Sequence, residues 1–306
     1  MISFLLRRLL QSVLTVLGVL TATFFLVRLS GDPTTLLLPV EATPEDVANF
    51  RTAFGLDQSW LVQYVKFLAS VLEGDFGTSL RQRTSALGLV LERLPATMEL
   101  ALTAFILGLV LAFLIGLATR MSNSARLRSA VMWIALARQA IPVFWFGLLL
   151  ILLFSVTLRW LPSLGRGTWA HLVLPAVTLA TYEIALYLRL FHSSLAAEER
   201  QDYVRTAYAK GQSRSKIIIR HMLPNALLPL ITIAGMNLGL LLGGTVVTET
   251  VFSWPGVGRL IVQSVSQRDY PVIIAGVFLI SLIFVAINLI VDILYGFLDP
   301  RVRLSE

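Results

Sequence analysis

The sequence predicts an all-α fold, a polytopic membrane bundle of about six transmembrane helices with a helical extracytoplasmic loop after the first span. Three observations predict it. Of 306 residues, 56% are hydrophobic and 14% are charged, against about 25% charge in a soluble domain. Apolar runs recur at roughly the 20 residues needed to cross a hydrocarbon core about 30 Å thick. The 25 Lys and Arg residues lie mainly between those runs, the pattern of cytoplasmic loops and not of a nucleic-acid surface.

The first run, 9–29, follows Arg7 and Arg8 as the core of a signal peptide would. It is longer than the roughly 7 to 15 apolar residues of a cleavable signal and no small-x-small site follows, so a retained span is expected. Runs at 98–119, 129–158, 172–190, 226–248 and 271–293 make six. Backbone groups in hydrocarbon must be bonded within the segment, so runs of this length are helices and not barrel strands. One alternate set of connections carries thirteen basic residues, Arg7, Arg120, Arg205, Lys216 and Arg303 among them, against four in the other short connections. That bias places both termini and the 196–224 loop in the cytoplasm.

The 30–95 connection then lies outside, with eight acidic and five basic residues. Thr43, Pro44, Glu45 and Asp46 read as a helix start and Gly55 as its stop. From Ser59 to Glu73, Trp60, Leu61, Tyr64, Val65, Leu68, Val71 and Leu72 recur at helical spacing, with Gly74 as the stop. This second helix is expected on the outer membrane surface or against neighbouring spans.

The chain has no cysteine, which removes disulfides, thiolate nucleophiles and Cys-ligated metals. His171, His192 and His221 are scattered in sequence, and no metal site is expected from them. No G-x-x-x-x-G-K-[ST] loop is present to cradle ATP, and neither G-x-S-x-G nor H-E-x-x-H occurs. Without internal repeats or low-complexity tracts, a single domain over 1–306 is the simplest organisation.

The 196–224 loop carries the most information. The stretch from Asp202 to Gly211 reads as a short helix ending at Gly211, presenting Tyr203, Ala207 and Lys210 on a stiff exposed projection. The basic stretch from Arg214 to Arg220 then reads as lying along the anionic membrane face before Pro224 opens the fifth span. Gly211 followed by Leu223 and Pro224 at the mouth of a span resembles the EAA loop of ABC-importer permeases, with Arg205-Thr206-Ala207 where Glu-Ala-Ala is usual. With Tyr203 and Lys210 around it, this variant is similar to the dipeptide, oligopeptide and nickel permease family. The resemblance extends through Gly31-Asp32-Pro33, Gly55-Leu56-Asp57-Gln58, Gly74-Asp75-Phe76-Gly77-Thr78-Ser79, Arg93-Leu94-Pro95-Ala96-Thr97 and Leu161-Pro162-Ser163. It continues through Glu249-Thr250-Val251-Phe252-Ser253-Trp254-Pro255-Gly256, Arg268-Asp269-Tyr270-Pro271 and Asp299-Pro300-Arg301.

The resemblance implies a first-type permease of the type I importer fold in a bacterial inner membrane. It implies a heterodimer with a homologous second permease, and two ATPase subunits that use ATP and Mg while this chain binds no cofactor and catalyses nothing. An extracytoplasmic solute-binding protein would deliver peptides or peptide-like solutes, with nickel chelates or glutathione as alternatives. A self-contained secondary transporter or channel is the alternative class, distinguished by paired half-repeats. The 196–224 segment is then the coupling loop. Charge within a bilayer needs partners or water, so Arg138, Gln139 and Glu183 are candidates for the translocation path, or else structural contacts between helices. Arg189, Glu249 and Asp292 lie near span ends, where side chains snorkel or cap. Trp254, Pro255 and Gly256 form either an outer gate or binding-protein contact, or a packed re-entrant loop. Asn237 and the glycines Gly235, Gly239, Gly243 and Gly244 suggest close helix approach.

Overall fold

The computed structural model describes residues 2–29, 43–53, 55, 57–122 and 124–298, with side chains from residue 6 to residue 293 apart from Ala53. Gly31-Asp32-Pro33, Leu56, Asp299-Pro300-Arg301 and Arg303 lie outside the described residues. The described backbone is helical, apart from turns and one bridge between Thr78 and Ser85. Its helices are α1 (Ile2–Leu29), α2 (Pro44–Ala53), α3 (Trp60–Leu72), α4 (Ala86–Met121), α5 (Ala125–Ala140) and α6 (Val143–Thr157). They continue with α7 (Trp169–Glu198), α8 (Asp202–Ala209), α9 (Arg214–Val251), α10 (Val257–Gln267) and α11 (Tyr270–Leu298). Among the described residues, α1, α4, α7, α9 and α11 are each long and apolar enough to cross a membrane.

The run 129–158 is not one helix. It breaks at Ile141-Pro142, and α5 and α6 meet at 104°. Proline disfavours helical geometry in the residue before it, and Ile141 is extended at φ −85° and ψ 126°. The far half of α6, Ile151–Thr157, is wound as a π-helix. Counted as one broken span, the pair brings the total to six.

Helix ends follow caps more than hydropathy. Ser85 caps α4 with its carbonyl on the Leu89 N–H at 3.1 Å and its hydroxyl on the Gly88 N–H at 3.2 Å. That starts α4 twelve residues ahead of the apolar run, with Pro95 carried inside it. At α2, Thr43 and Asp46 cap one another reciprocally, N–H to carboxylate at 2.9 Å and N–H to hydroxyl at 3.2 Å. The Thr43 hydroxyl and N–H hold the exposed Asp46 carboxyl below the usual carboxylate range.

The described chain forms two compact units, 2–95 with 256–285 and 96–255 with the chain from 286 onward, where the sequence suggested one domain. In the first unit Ala86 and Val90 of α4 close on Val257 and Leu260 of α10 and on Val272 and Ala275 of α11. In the second, α7 is the hub, packed on α9, α5 and α6. A Cβ at Gly116 of α4 would stand 2.5 Å from the Phe191 ring of α7, so only glycine permits that approach.

Candidate functional site

The 196–224 segment is a tight helical corner. Glu198 ends α7, Asp202 sits in the first turn of α8 where a negative charge suits the helix dipole, and α8 ends at Lys210 and Gly211. Gly211 takes φ +70°, and its N–H reaches the Tyr208 carbonyl at 2.9 Å. The Gln212 N–H reaches Ala207 at 3.3 Å, and Ser213 caps the next helix through the Ile217 N–H at 3.0 Å.

Two expectations for this segment need correcting. Ala207 is not on the exposed face: it is 5% exposed and, with fully buried Val204, enters a core with Leu195, Phe191, Ile217, Ile218 and Met222. In an eight-residue helix the small apolar pair at i and i+3 faces inward, and Tyr203, Arg205, Thr206, Tyr208 and Lys210 face out. Nor does Pro224 open the fifth span. The helix begins at Arg214 and runs unbroken to Val251, so the basic stretch forms its first turns. A π-helical segment, Ile218–Met222, stands just ahead of Pro224. The wider turn accommodates a ring that would otherwise clash with the carbonyl four residues back. Leu223 packs on the same core and Pro224 is exposed.

Side chains tie α8 to its neighbours. The Tyr203 hydroxyl donates to the Glu198 carboxylate and accepts from Asn225 Nδ2 at 3.1 Å, linking α7, α8 and α9. Burial, and then the bond to Glu198, push that hydroxyl above the ordinary tyrosine range. Buried Arg120 of α4 pairs with Glu199 beyond α7. Arg205 and Asp202 lie 3.8 Å apart with both side chains in the open, a pair worth little. His221 bonds Gln212 at 2.9 Å, His192 bonds Thr119 at 3.2 Å and His171 completes the Thr168 cap of α7.

The charged residues within the spans are held by protein groups. Arg138 donates to the Thr181 hydroxyl and to the Ile141 and Thr178 carbonyls, each at 3.0 Å. Its guanidinium also lies 3.9 Å over the Phe146 ring. It thus pins the α5–α6 bend to α7. Glu183 is buried and accepts from Asn237 Nδ2 of α9 at 3.1 Å. No ion pair joins Arg138 to Glu183, and Gln139 beside them is half-buried. An apolar cavity of about 360 Å³ opens between Phe105 and Leu109 of α4, Ile231 and Leu238 of α9 and Ile290 of α11. Its lining offers no charge to match the ends of a peptide.

Glu249 does not cap or snorkel at a span end. It is 0% exposed and accepts from the Thr97 hydroxyl at 2.7 Å, a position fixed by packing of α4 on α9. Trp254 and Gly256 are buried and Pro255 is half-buried. The Trp254 indole N–H donates to the Ala96 carbonyl at 2.8 Å. The Gly165 N–H reaches the Phe252 carbonyl at 2.8 Å, and Arg166 pairs with Glu99 at 2.6 Å. In the other unit, buried Asp269 accepts from the Ser79 hydroxyl and from the Leu80 N–H at 3.1 Å. The short motifs around 74–79, 93–97, 249–256 and 268–271 therefore meet in pairs. Each pair matches a hydroxyl with a buried acid.

Comparison with known proteins agrees with this architecture. Residues 104–304 match the family model described as binding-protein-dependent transport system inner membrane component, and residues 1–101 match its N-terminal companion. The glutathione transport system permease protein GsiC of Salmonella paratyphi A is 40% identical over 304 residues, 99% of both chains. The oligopeptide transport system permease protein AppB of Bacillus subtilis is 38% identical, covering 99% of this chain and all of that one. The dipeptide transport system permease protein DppB of Alkalihalophilus pseudofirmus is 35% identical at the same coverage. Among solved structures, the inward-facing methionine ABC transporter MetNI aligns over 69% of this chain and 96% of its own, at TM-score 0.55 and 17% identity, a likeness of fold. Chain-long identity, the paired motifs and the apolar helices together make this chain a member of the binding-protein-dependent transport system inner membrane component family, the multi-pass permeases of ABC importers.

Proposed function

We propose that this chain forms half of the translocation path of an ATP-driven importer for peptides or peptide-like solutes, glutathione included, and that α8 seats in a separate ATPase subunit. One observation supports the seat above others: the two faces of α8 differ. Val204 and Ala207 are locked into a core that also holds residues of α4, α5, α7 and α9, among them Ala112, Ala135, Leu188 and Ala226. Tyr203, Arg205, Thr206, Tyr208 and Lys210 stand outside it. A push on the open face is carried into those helices at once, because a close-packed interior transmits displacement instead of absorbing it.

On this reading the ATPase subunits hold ATP and Mg, and an extracytoplasmic binding protein delivers the cargo. The excess of basic residues around α8 supports a cytoplasmic location for it and for both termini. A homologous second permease completes the path. Gly243 and Gly244, with no described residue outside their own stretch of helix within 4 Å of a Cβ at either, favour close approach by one of its helices. Arg138 and Glu183 act as pins within the bundle, since protein groups already engage them. Peptide and glutathione cargo rest on what the relatives carry.

The test is a cross-link. With the chain free of cysteine, Thr206→Cys and Lys210→Cys should each capture an ATPase subunit in membranes, while buried Ala207→Cys should not. Failure of both exposed positions would remove the seat.

A further inference from the structure

We propose that α3 is immersed in the membrane leaflet that holds the C-terminal end of α1, with its outward stripe of Leu61, Val65 and Leu72 resting on lipid acyl chains. The level of its contacts on α1 is the first ground. Gln63 accepts from Arg28 Nε at 2.9 Å and Nη2 at 2.6 Å, and the Tyr64 and Thr21 hydroxyls bond at 2.7 Å. Fully buried Phe24 stacks on Phe67 at 5.2 Å and meets Tyr64 edge-on at 5.2 Å. The membrane-crossing part of α1 is Leu6–Leu29, 24 residues, about 36 Å at 1.5 Å per residue against a core of about 30 Å. Thr21 then lies about 12 Å along the axis from Leu29, well inside the hydrocarbon boundary. A helix bonded to Thr21 and packed on Phe24 reaches below the headgroups.

The second ground is the face turned away from α1. Leu61 is 73% exposed and Leu72 89%, with Trp60, Val62 and Val65 exposed beside them. Lys66 is the one charged side chain in the helix, on a stem long enough to reach the interface. An outward face this apolar is stable only with apolar surroundings.

The third ground is continuity, and it selects lipid over a water-borne partner. Phe25, Leu26 and Leu29 of α1, on a span that must itself meet lipid, are exposed at the same level. A binding protein approaching from water does not reach residues at the depth of Thr21. The pair α1–α3 is accordingly a two-helix membrane anchor. Arg28, at the boundary, is held there by Gln63 and by the Phe24 ring 4.0 Å from its guanidinium.

The native absence of cysteine makes the test direct. Single variants Leu61→Cys and Val65→Cys would carry a nitroxide label in the complete transporter in lipid nanodiscs. Leu10→Cys on α1 serves as the lipid reference and Asp57→Cys as the water reference. Collision rates with oxygen and with a water-soluble nickel chelate then report the surroundings of each label. At 61 and 65 oxygen should exceed the nickel chelate several-fold, as at Leu10, with the order reversed at Asp57. Labels at 61 and 65 that collide chiefly with the nickel chelate, or that are shielded from both reagents as under a protein partner, would overturn the proposal.

Discussion

Replacing Gly211 separates conformation from space at the end of α8. The residue sits at φ +70°, and a Cβ built on it meets nothing within 4 Å. A side chain there suffers no clash within this chain, so the cost is that of the left-handed backbone alone, about 1–2 kcal/mol for an L-residue. Asn visits that region readily and should cost a few tenths, Ala about 1 kcal/mol and β-branched Val about 2. Since about 1.4 kcal/mol is a factor of ten, the native turn should lose population several-fold in Gly211→Ala and more than tenfold in Gly211→Val. The assay is cargo uptake per ATP hydrolysed in proteoliposomes holding the complete transporter and its binding protein. Coupling should fall in the order Gly, Asn, Ala, Val. A Val variant as well coupled as the parent would refute the role of the turn, and an Asn variant as damaged as Val would show that space, not φ, is limiting.

Other outcomes follow from the buried contacts. Thr97→Val leaves the Glu249 carboxylate without its hydroxyl donor, a loss of about 1.5–3 kcal/mol for a bond to a charged group; the apparent Tm of the purified complex should drop by several degrees, with Thr97→Ser near the parent. Asp269→Ala removes both acceptors facing Ser79 and Leu80 and should open the 79–85 turn to added protease, while Asp269→Asn, which keeps one acceptor, should be milder. Arg138→Lys cannot reproduce a fork reaching three oxygens, so the yield of monodisperse protein in size-exclusion chromatography should fall, and about as far as in Arg138→Met. The Tyr203 hydroxyl titrates above its ordinary value of about 10. Its raised pKa favours the folded corner below that value, and this contribution fades as pH rises through the folded pKa. Subtracting the alkaline ultraviolet titration of Tyr203→Phe from that of the parent should isolate a phenol that ionises late, and Glu198→Gln should bring it earlier.

The spans were legible because run length against hydrocarbon thickness requires no tertiary knowledge. Their ends were less so. α4 begins at Ala86, where the Ser85 hydroxyl and carbonyl cap it in polar sequence, and α9 at Arg214, where hydropathy has already fallen away. The break in 129–158 had a visible cause in Ile141-Pro142 and in a run longer than one span requires. The corner around Gly211 is legible from glycine and cap chemistry, but the inward face of Ala207 is not, since eight residues with polar groups on both sides leave little periodicity. Val204 and Ala207, three apart and both apolar, were the available clue. The hydroxyl–acid pairs were out of reach: Thr97 and Glu249 are 152 residues apart, Ser79 and Asp269 190, and one sequence carries no record of which distant residues meet.

The wide turn at Ile218–Met222 sets the clocking of everything after it. An inserted residue in a helix advances the remainder by about 100°, and here that advance governs the 29 residues from Leu223 to Val251. Deleting one residue from Ile218–Met222 would straighten the winding yet swing Met236, Leu240 and Val247 from the periphery toward the interior, and carry Asn237 away from Glu183. The bulge works as a phase shifter, letting a basic entry and a long apolar shaft share one continuous rod while each keeps its own heading.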